Sequence, residues 1–348
     1  MPGSGADEAA ERARDAADAR AADEARAGDR AGARLPDDSV GGAGQPRPEY
    51  AEELERRAEL RQVRAGSVEI LVARYAGYCY GVERALRTTE EALEDAAGPV
   101  ASLGPIIHNP TVVKQLEERG VAVVDEADQV AGGTLIVRTH GVPPEVVRRA
   151  RERHLEVVDA TCPFVAVAQR KAASLKEAGY TVVILGEPDH PEVVGLQGFA
   201  GQGAVVVEDA AGLPLERLRG KRAGVVVQTT QTNANLASVA AALAPVAREM
   251  LVYNTICDAT EKRQDAACEL AAEVDTVVVV GGRNSANTAR LAQLCEGMQP
   301  RTHHIESAAE LRPEWFAGAQ RVGVTAGAST PDEEIEATVL ALLDLCGD

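Results

Sequence analysis

From Ile70 onward, short runs of Val, Ile and Leu alternate with longer stretches that place apolar residues at helical spacing. The runs include Thr134 to Val137, Thr181 to Leu185, Gly224 to Val227, Thr276 to Val280 and Arg321 to Val324. Runs this apolar, separated by helices, are the pattern of strands buried on both faces of parallel α/β sheets. After each comes a polar loop, respectively RTHGVPPEV, GEPDHPEV, QTTQTN, GGRNSANT and TAGASTPDEE. Ligands of open parallel sheets bind outside the carboxyl ends of the strands, where such loops lie. The loops therefore mark a site.

Three loops deliver histidine: His108 in GPIIHNPTV, His140 in RTHGVPPEV and His190 in EPDHPEV. Each precedes a helix whose opening turn holds Pro or a small residue, so imidazole and free backbone N–H groups meet as an anion site. His154, His303 and His304 lack this context and read as structural. The other loops supply hydroxyls and amides, from Thr229 and Thr230, Ser285 and Asn287, and Ser329. Glycines at 281, 282 and 327 let the backbone approach a ligand closely. One Ser or Asn alone would cap an ordinary helix. Combined with three histidines, the set fits a diphosphate better than a carboxylate, which needs fewer partners. Glu192, two residues beyond His190, is the candidate proton donor, because burial near the anion would raise its pKa. Spacing alone supports equally a helix N-terminal acid serving the dipole.

Cys79, Cys162 and Cys257 recur at comparable intervals, in ILVARYAGYC, LEVVDATC and LVYNTIC. In each case an aliphatic run breaks at a turn and the cysteine opens a helical stretch. A thiolate at a helix N-terminus is favoured by the dipole, so a lowered pKa and easy metal ligation are expected there. A closed structural metal site wants four protein ligands, and this recurrence offers three. Three thiolates around a 4Fe-4S cube leave one iron open to a substrate oxygen. Zinc held by three Cys and one His competes, but it is redox-silent and leaves two histidines unexplained. Cys268, Cys295 and Cys346 read as structural thiols. Asp159 reads as a turn residue, and Glu83 and Arg84 as ordinary helix surface.

Charge and composition narrow the function classes. The formal net charge of -18 and an aromatic content of 3% disfavour nonspecific nucleic-acid binding, which needs cationic and stacking side chains. No apolar run is long enough to span a bilayer and no apolar signal core stands at the start, so a cytoplasmic protein with reduced cysteines is expected. Residues 1–66 carry few large apolar side chains and are expected to be a disordered acidic, Ala/Arg-rich tail, with transient helix around Tyr50 to Gln62. Its 15 Asp or Glu against 11 Arg argue against a transit peptide.

The segments GYCYGVERA, GPIIHNPTVV, RTHGV, DATCP, DHPEV, QTTQT, NTICDAT, GGRNSANT and TAGAS resemble, in order and spacing, the LytB/IspH family of 4-hydroxy-3-methylbut-2-enyl diphosphate reductases. The likeness runs from about residue 69 to about 346. It implies a trefoil of three α/β lobes with small parallel sheets around a central 4Fe-4S cluster bound by Cys79, Cys162 and Cys257. The lobes would be 67–162, 163–256 and 257–348, the first strand packing with the third lobe. It implies further that His108, His140, His190, Ser285, Asn287 and Ser329 hold the substrate diphosphate, that Thr229 contacts the substrate hydroxyl and that Glu192 relays protons. The implied reaction is two-electron reductive dehydroxylation to isopentenyl and dimethylallyl diphosphates, the last step of the methylerythritol phosphate route, with electrons from ferredoxin or flavodoxin. An acidic donor would need a local basic patch, for which Arg74, Arg84 and Lys114 are candidates. Many members carry a second Ser where this chain has Ala286, so only the backbone N–H can serve there. An iron–sulfur redox sensor and a cluster-dependent hydro-lyase acting on a diphosphate are the alternative readings.

Overall fold

The computed structural model of the protein describes residues 61–347. In chain order these form β1 (Arg61–Ala65), β2 (Val68–Val72), α1 (Tyr80–Asp95), β3 (Val100–Leu103), α2 (Pro110–Glu118), β4 (Val121–Val124), β5 (Thr134–Val137), α3 (Pro144–Glu152) and β6 (Glu156–Asp159). There follow α4 (Pro163–Glu177), β7 (Thr181–Leu185), α5 (Pro191–Ala200), β8 (Val205–Val207), α6 (Leu215–Leu218), β9 (Arg222–Val227), α7 (Asn233–Leu243) and β10 (Glu249–Tyr253). The last lobe adds α8 (Asp258–Glu273), β11 (Thr276–Val280), α9 (Ala286–Met298), β12 (Thr302–Ile305), β13 (Arg321–Ala326) and α10 (Asp332–Cys346).

The strands pair as three sheets, ordered β4-β3-β5-β6, β8-β7-β9-β10 and β12-β11-β13-β2-β1. All pairings are parallel except that of β1 with β2. Counted within each lobe, every sheet is wound in the order second, first, third, fourth. In the last lobe the fourth place is taken by β2, which arrives from the other end of the chain and pairs with β13, Arg321 opposite Glu69. The α/β class expected from the hydrophobic runs is thus the observed one.

Parallel strands need cover on both faces, and alternation along β11 shows how it is given. Val278 and Val280 pack with Ile335 and Leu342 of α10. Val277 and Val279 point the other way, against Leu270 of α8 and Leu291 of α9. Cys295 is fully buried in that second cluster, as a structural thiol should be. The other two sheets are likewise faced by two apolar clusters each.

The leading tail was expected to reach residue 66, but Arg61–Ala65 form β1. The reason is local: RQVRA pairs antiparallel with β2 through a turn at Gly66, whose φ of 56° suits glycine. Added there, β1 covers what would otherwise be an open sheet edge. Residues 1–60, with most of the helix expected around Tyr50 to Gln62, lie outside the described residues.

Gly224 in β9 shows how closely helix and sheet approach. A Cβ placed on it would stand 2.6 Å from Leu175 Cδ2 of α4. Gly224→Ala is therefore expected to cost about 1–3 kcal/mol through overpacking, read as a lower urea midpoint; an unchanged midpoint would show that α4 yields freely.

Candidate functional site

In a sheet wound in this order, the crevice lies between the first and third strands, where the connections leave in opposite directions. The residues singled out from the sequence fall on these crevices pairwise. His108 follows β3 and His140 follows β5. His190 and Glu192 follow β7, and Thr229 follows β9. Ser285 and Asn287 follow β11, and Ser329 follows β13. Each cysteine instead follows a fourth strand, after β2, β6 and β10, where the chain crosses to the next lobe. All eleven residues line one cavity of about 110 Å³, a volume for a small metabolite rather than a polymer.

Cys79, Cys162 and Cys257 are the N-cap residues of α1, α4 and α8. Cys257 Sγ accepts from the Thr260 backbone N–H at 3.3 Å and lies 3.0 Å from Thr260 Oγ1. The thiols approach closely around Gly81: a Cβ there would be 2.5 Å from Cys162 Sγ and 3.8 Å from Cys79 Sγ. The lowered thiol pKa expected from helix dipoles is not what burial allows at Cys162 and Cys257. Desolvation pushes Cys257 up to about 11, and desolvation with the neighbouring thiols pushes Cys162 up further. Bonds from the first helical turn pull the other way and are outweighed. Thiolates at these positions need a positive partner among them, and a metal centre is what three converging thiols offer.

The three imidazoles form a second cluster, with ring centroids 4.5 Å apart for His108–His140, 5.3 Å for His140–His190 and 5.7 Å for His108–His190. Burial and the Arg138 guanidinium lower all three, and repulsion from neighbouring imidazoles adds to this at His108 and His140; His108 and His190 fall to about 4, and His140 well below its ordinary value. They are neutral at pH 7 without a ligand. His190 caps α5 by accepting the Glu192 N–H on Nδ1 at 3.2 Å, which leaves its proton on Nε2. Both ring nitrogens of His108 and the Asn287 side-chain nitrogen are buried without a hydrogen-bond partner. Buried polar atoms of this kind are costly unless a ligand satisfies them. The histidine nitrogens lie within 4.8 Å of one another, close enough for one cation. However, their neighbours in the cavity are the donors Ser285, Asn287 and Ser329, which suit an anion better.

Glu192 is 1% exposed. Its Oε1 accepts the Thr229 N–H at 2.7 Å and its Oε2 accepts the Thr229 hydroxyl at 2.8 Å. Burial raises its pKa to about 7, against the lowering effect of those two bonds. The residues read as structural stay outside the cavity. His303 stacks on Trp315 at 4.1 Å, His304 bonds the Gly281 carbonyl through Nε2, and Asp159 Oδ1 accepts the Thr161 N–H.

Sequence reasoning missed Arg138, Thr260, Arg263 and the role of Arg84. Arg84 is not idle helix surface, since it donates to the carbonyls of Thr161 and Asp159 just before Cys162. Thr260 could have been found, as it stands three residues beyond a capping cysteine. The arginines act across 77 and 186 residues of sequence, a distance no local pattern reports.

Three parallel sheets of one winding, whose strand ends converge on one cavity lined by three thiols, three imidazoles and several side-chain donors, define a three-lobed α/β protein. The comparisons make this particular. The family model described as LytB protein matches residues 70–343. A relative from Geobacter metallireducens, named 4-hydroxy-3-methylbut-2-enyl diphosphate reductase, is 50% identical over 276 residues, covering 77% of this chain and 96% of the relative. One of the same name from Aquifex aeolicus is 44% identical over 285 residues, covering 80% and 97%. The solved structure of (E)-4-hydroxy-3-methyl-but-2-enyl diphosphate reductase, described as the terminal enzyme of the non-mevalonate pathway, is similar at 43% identity and a TM-score of 0.60, covering 79% of this chain and 99% of that one. The corresponding reductase structure from Plasmodium falciparum superposes with a TM-score of 0.73 at 26% identity, over 80% of this chain and 88% of that one. This chain belongs to the LytB family.

The state of Glu192 sets a pH dependence. Its folded pKa is raised above the unfolded one, so its burial is tolerated fully below about pH 4.5 and costs stability as pH rises through about 7. Glu192→Gln should therefore melt higher than the parent at pH 8, by up to about 3 kcal/mol in unfolding free energy, with the gain vanishing toward pH 4.5. Equal melting curves across that range would show that Glu192 is not held in this way.

Proposed function

We propose that the protein reduces 4-hydroxy-3-methylbut-2-enyl diphosphate to isopentenyl and dimethylallyl diphosphates in the cytoplasm, using a 4Fe-4S cluster held by Cys79, Cys162 and Cys257 and electrons from ferredoxin or flavodoxin. The observation that carries this reading is that orphaned anion-binding groups and three capping thiols from all three lobes share one cavity. Two electrons and two protons convert the allylic C–OH to C–H and release water. Such a cluster supplies electrons singly and, with three thiolate ligands, an iron that no protein group occupies.

The chain's own residues supply the rest. His108, His140 and His190, with Ser285, Asn287 and Ser329, bind the diphosphate and fix which end of the substrate faces the thiols. A doubly negative group among neutral imidazoles raises their pKa, so binding draws protons onto the histidines. Val82, Ile107 and Val165 give the cavity an apolar wall for the five-carbon chain. At the hydroxyl end, protonated Glu192 donates from its carboxyl to Thr229 Oγ1, and Thr229 turns its own proton to the leaving hydroxyl. A donor with a pKa of about 7 is matched to that task near neutrality. Ala286 lines the pocket with a methyl group, so that position offers the ligand no side-chain donor.

Protein purified without oxygen should be brown, hold iron and sulfide at about four each per chain, and consume two electrons per product. Colourless protein with stoichiometric zinc would overturn the reading. Turnover without electron uptake would indicate a hydro-lyase, and tight substrate binding without turnover under strong reductant a sensor. Cys162→Ser should lose the cluster and activity together. His108→Leu removes two unsatisfied buried nitrogens, so it should leave the unliganded protein at least as stable while weakening inorganic diphosphate at least about tenfold. Unchanged affinity by calorimetry would remove His108 from the anion site.

A further inference from the structure

One face of α9 is turned to a second cavity, of about 310 Å³, which shares His190 and Ala286 with the cavity that gathers the thiols and imidazoles. Ala286, Ala289, Arg290 and Gln293 line it, at the spacing that puts residues on one side of a helix. Glu187, from the turn between β7 and α5, faces them from the second lobe. The rim reaches solvent, since the side chains of Arg290 and Arg283 are 27% and 53% exposed. One wall of this cavity is thus a wall of the ligand pocket, while its rim is open to water.

A ligand with several negative charges meets two obstacles on its way to the inner cavity. The formal net charge of the chain is -18, so the molecule as a whole repels it. No lysine or arginine stands among the described residues lining the inner cavity. The adjoining cavity supplies two guanidinium groups, and they differ in how they are held. Arg283 is committed to Glu306 at 3.2 Å, to Glu310 and to the His304 carbonyl at 3.4 Å. Arg290 is held lightly. Its Nη1 donates to Gln293 Oε1 on its own helix at 3.1 Å, and its Nη2 reaches Glu187 Oε1 at 3.3 Å through one contact rather than a fork. A single contact between partly exposed charges is worth little and is readily exchanged.

Glu187 cannot follow its partner. Its N–H donates to Gln228 Oε1 and its Oε2 accepts from Gln228 Nε2, both at 3.0 Å, and Gln228 is fully buried. The Glu187 carbonyl also accepts the His190 N–H at 3.0 Å, so the same turn sets the imidazole. Arg290 is therefore the member of the pair that can move.

We propose that the second cavity is the entrance to the anion site and that Arg290, exchanging Glu187 for the incoming diphosphate, is the cation that draws the charged end of the substrate toward His190. This rests on the diphosphate reading above. The exchange favours the diphosphate, whose charge and number of acceptor oxygens both exceed those of a carboxylate. Ala286, on the boundary of the two cavities, brings no side-chain donor that would hold the anion short of the histidines.

The test follows inorganic diphosphate on full-length protein, with affinity from calorimetry and exchange rate from phosphorus NMR line broadening, which together give the association rate. Arg290→Gln should slow association several-fold and flatten its dependence on salt. Glu187→Gln, which keeps an acceptor for Gln228, should speed association several-fold by leaving Arg290 unpaired. A pair that only tied the two lobes together would move both variants in the same direction, and that result overturns the proposal. Arg290→Lys should stay near the parent, because the charge remains. Arg219→Gln removes one positive charge just before β9, at the end of the strand opposite to the site, and should leave association unchanged. Slowing there as great as in Arg290→Gln would assign the effect to net charge and overturn the entrance. Parent protein that binds no inorganic diphosphate overturns the diphosphate reading itself.

Discussion

In each lobe the fourth strand ends at the centre of the molecule, and the helix that follows belongs to the next lobe. That crossing point is the constraint from which the rest follows. It requires a helix to begin at the centre three times, and a residue at the start of a helix is held by its own first turn while its side chain remains free. Cysteine in that position puts three thiols in one place without any of them resting on a mobile loop. The crevices between first and third strands open toward the same centre, so ligand groups from all lobes reach it as well.

Electrostatics at the centre are arranged by burial more than by partners. The imidazoles are held neutral, Cys162 and Cys257 are pushed further from ionisation, and the Glu192 carboxyl is brought to the edge of ionisation. Each shift disfavours the charged form, and a charge of opposite sign placed nearby would reverse it. An anion restores the histidines, a metal centre restores the thiols, and Thr229 keeps the carboxylate form available by donating two hydrogen bonds. The ordinary cost of burying such groups becomes selectivity for a ligand that satisfies them.

Much of this was readable in the chain, for identifiable reasons. Thr181–Leu185 and Thr276–Val280 are continuous apolar runs of strand length, and the observed strands have those bounds. The loop residues were legible because a strand's carboxyl end is a local feature. Arg61–Ala65 was not: five residues of mixed polarity become a strand only because β2 offers an edge. The two arginine connections were hidden for a related cause, since their partners are backbone carbonyls, which carry no sequence signal. The thiol pKa was misjudged because a helix dipole can be read from sequence whereas depth of burial cannot.

One consequence of β2 pairing with β13 concerns the order of events during synthesis. β2 is among the first described elements to leave the ribosome, and its partner follows 252 residues later, at the separation of Glu69 and Arg321. Until then the strand has only its hairpin neighbour, and the turn carrying Cys79 has neither Ala328 nor Arg263 to fix it. The Cys79 turn therefore gains the full set of these contacts only when nearly the whole chain exists. A chain interrupted before its last lobe lacks the contacts that fix the Cys79 turn beside the other two thiols.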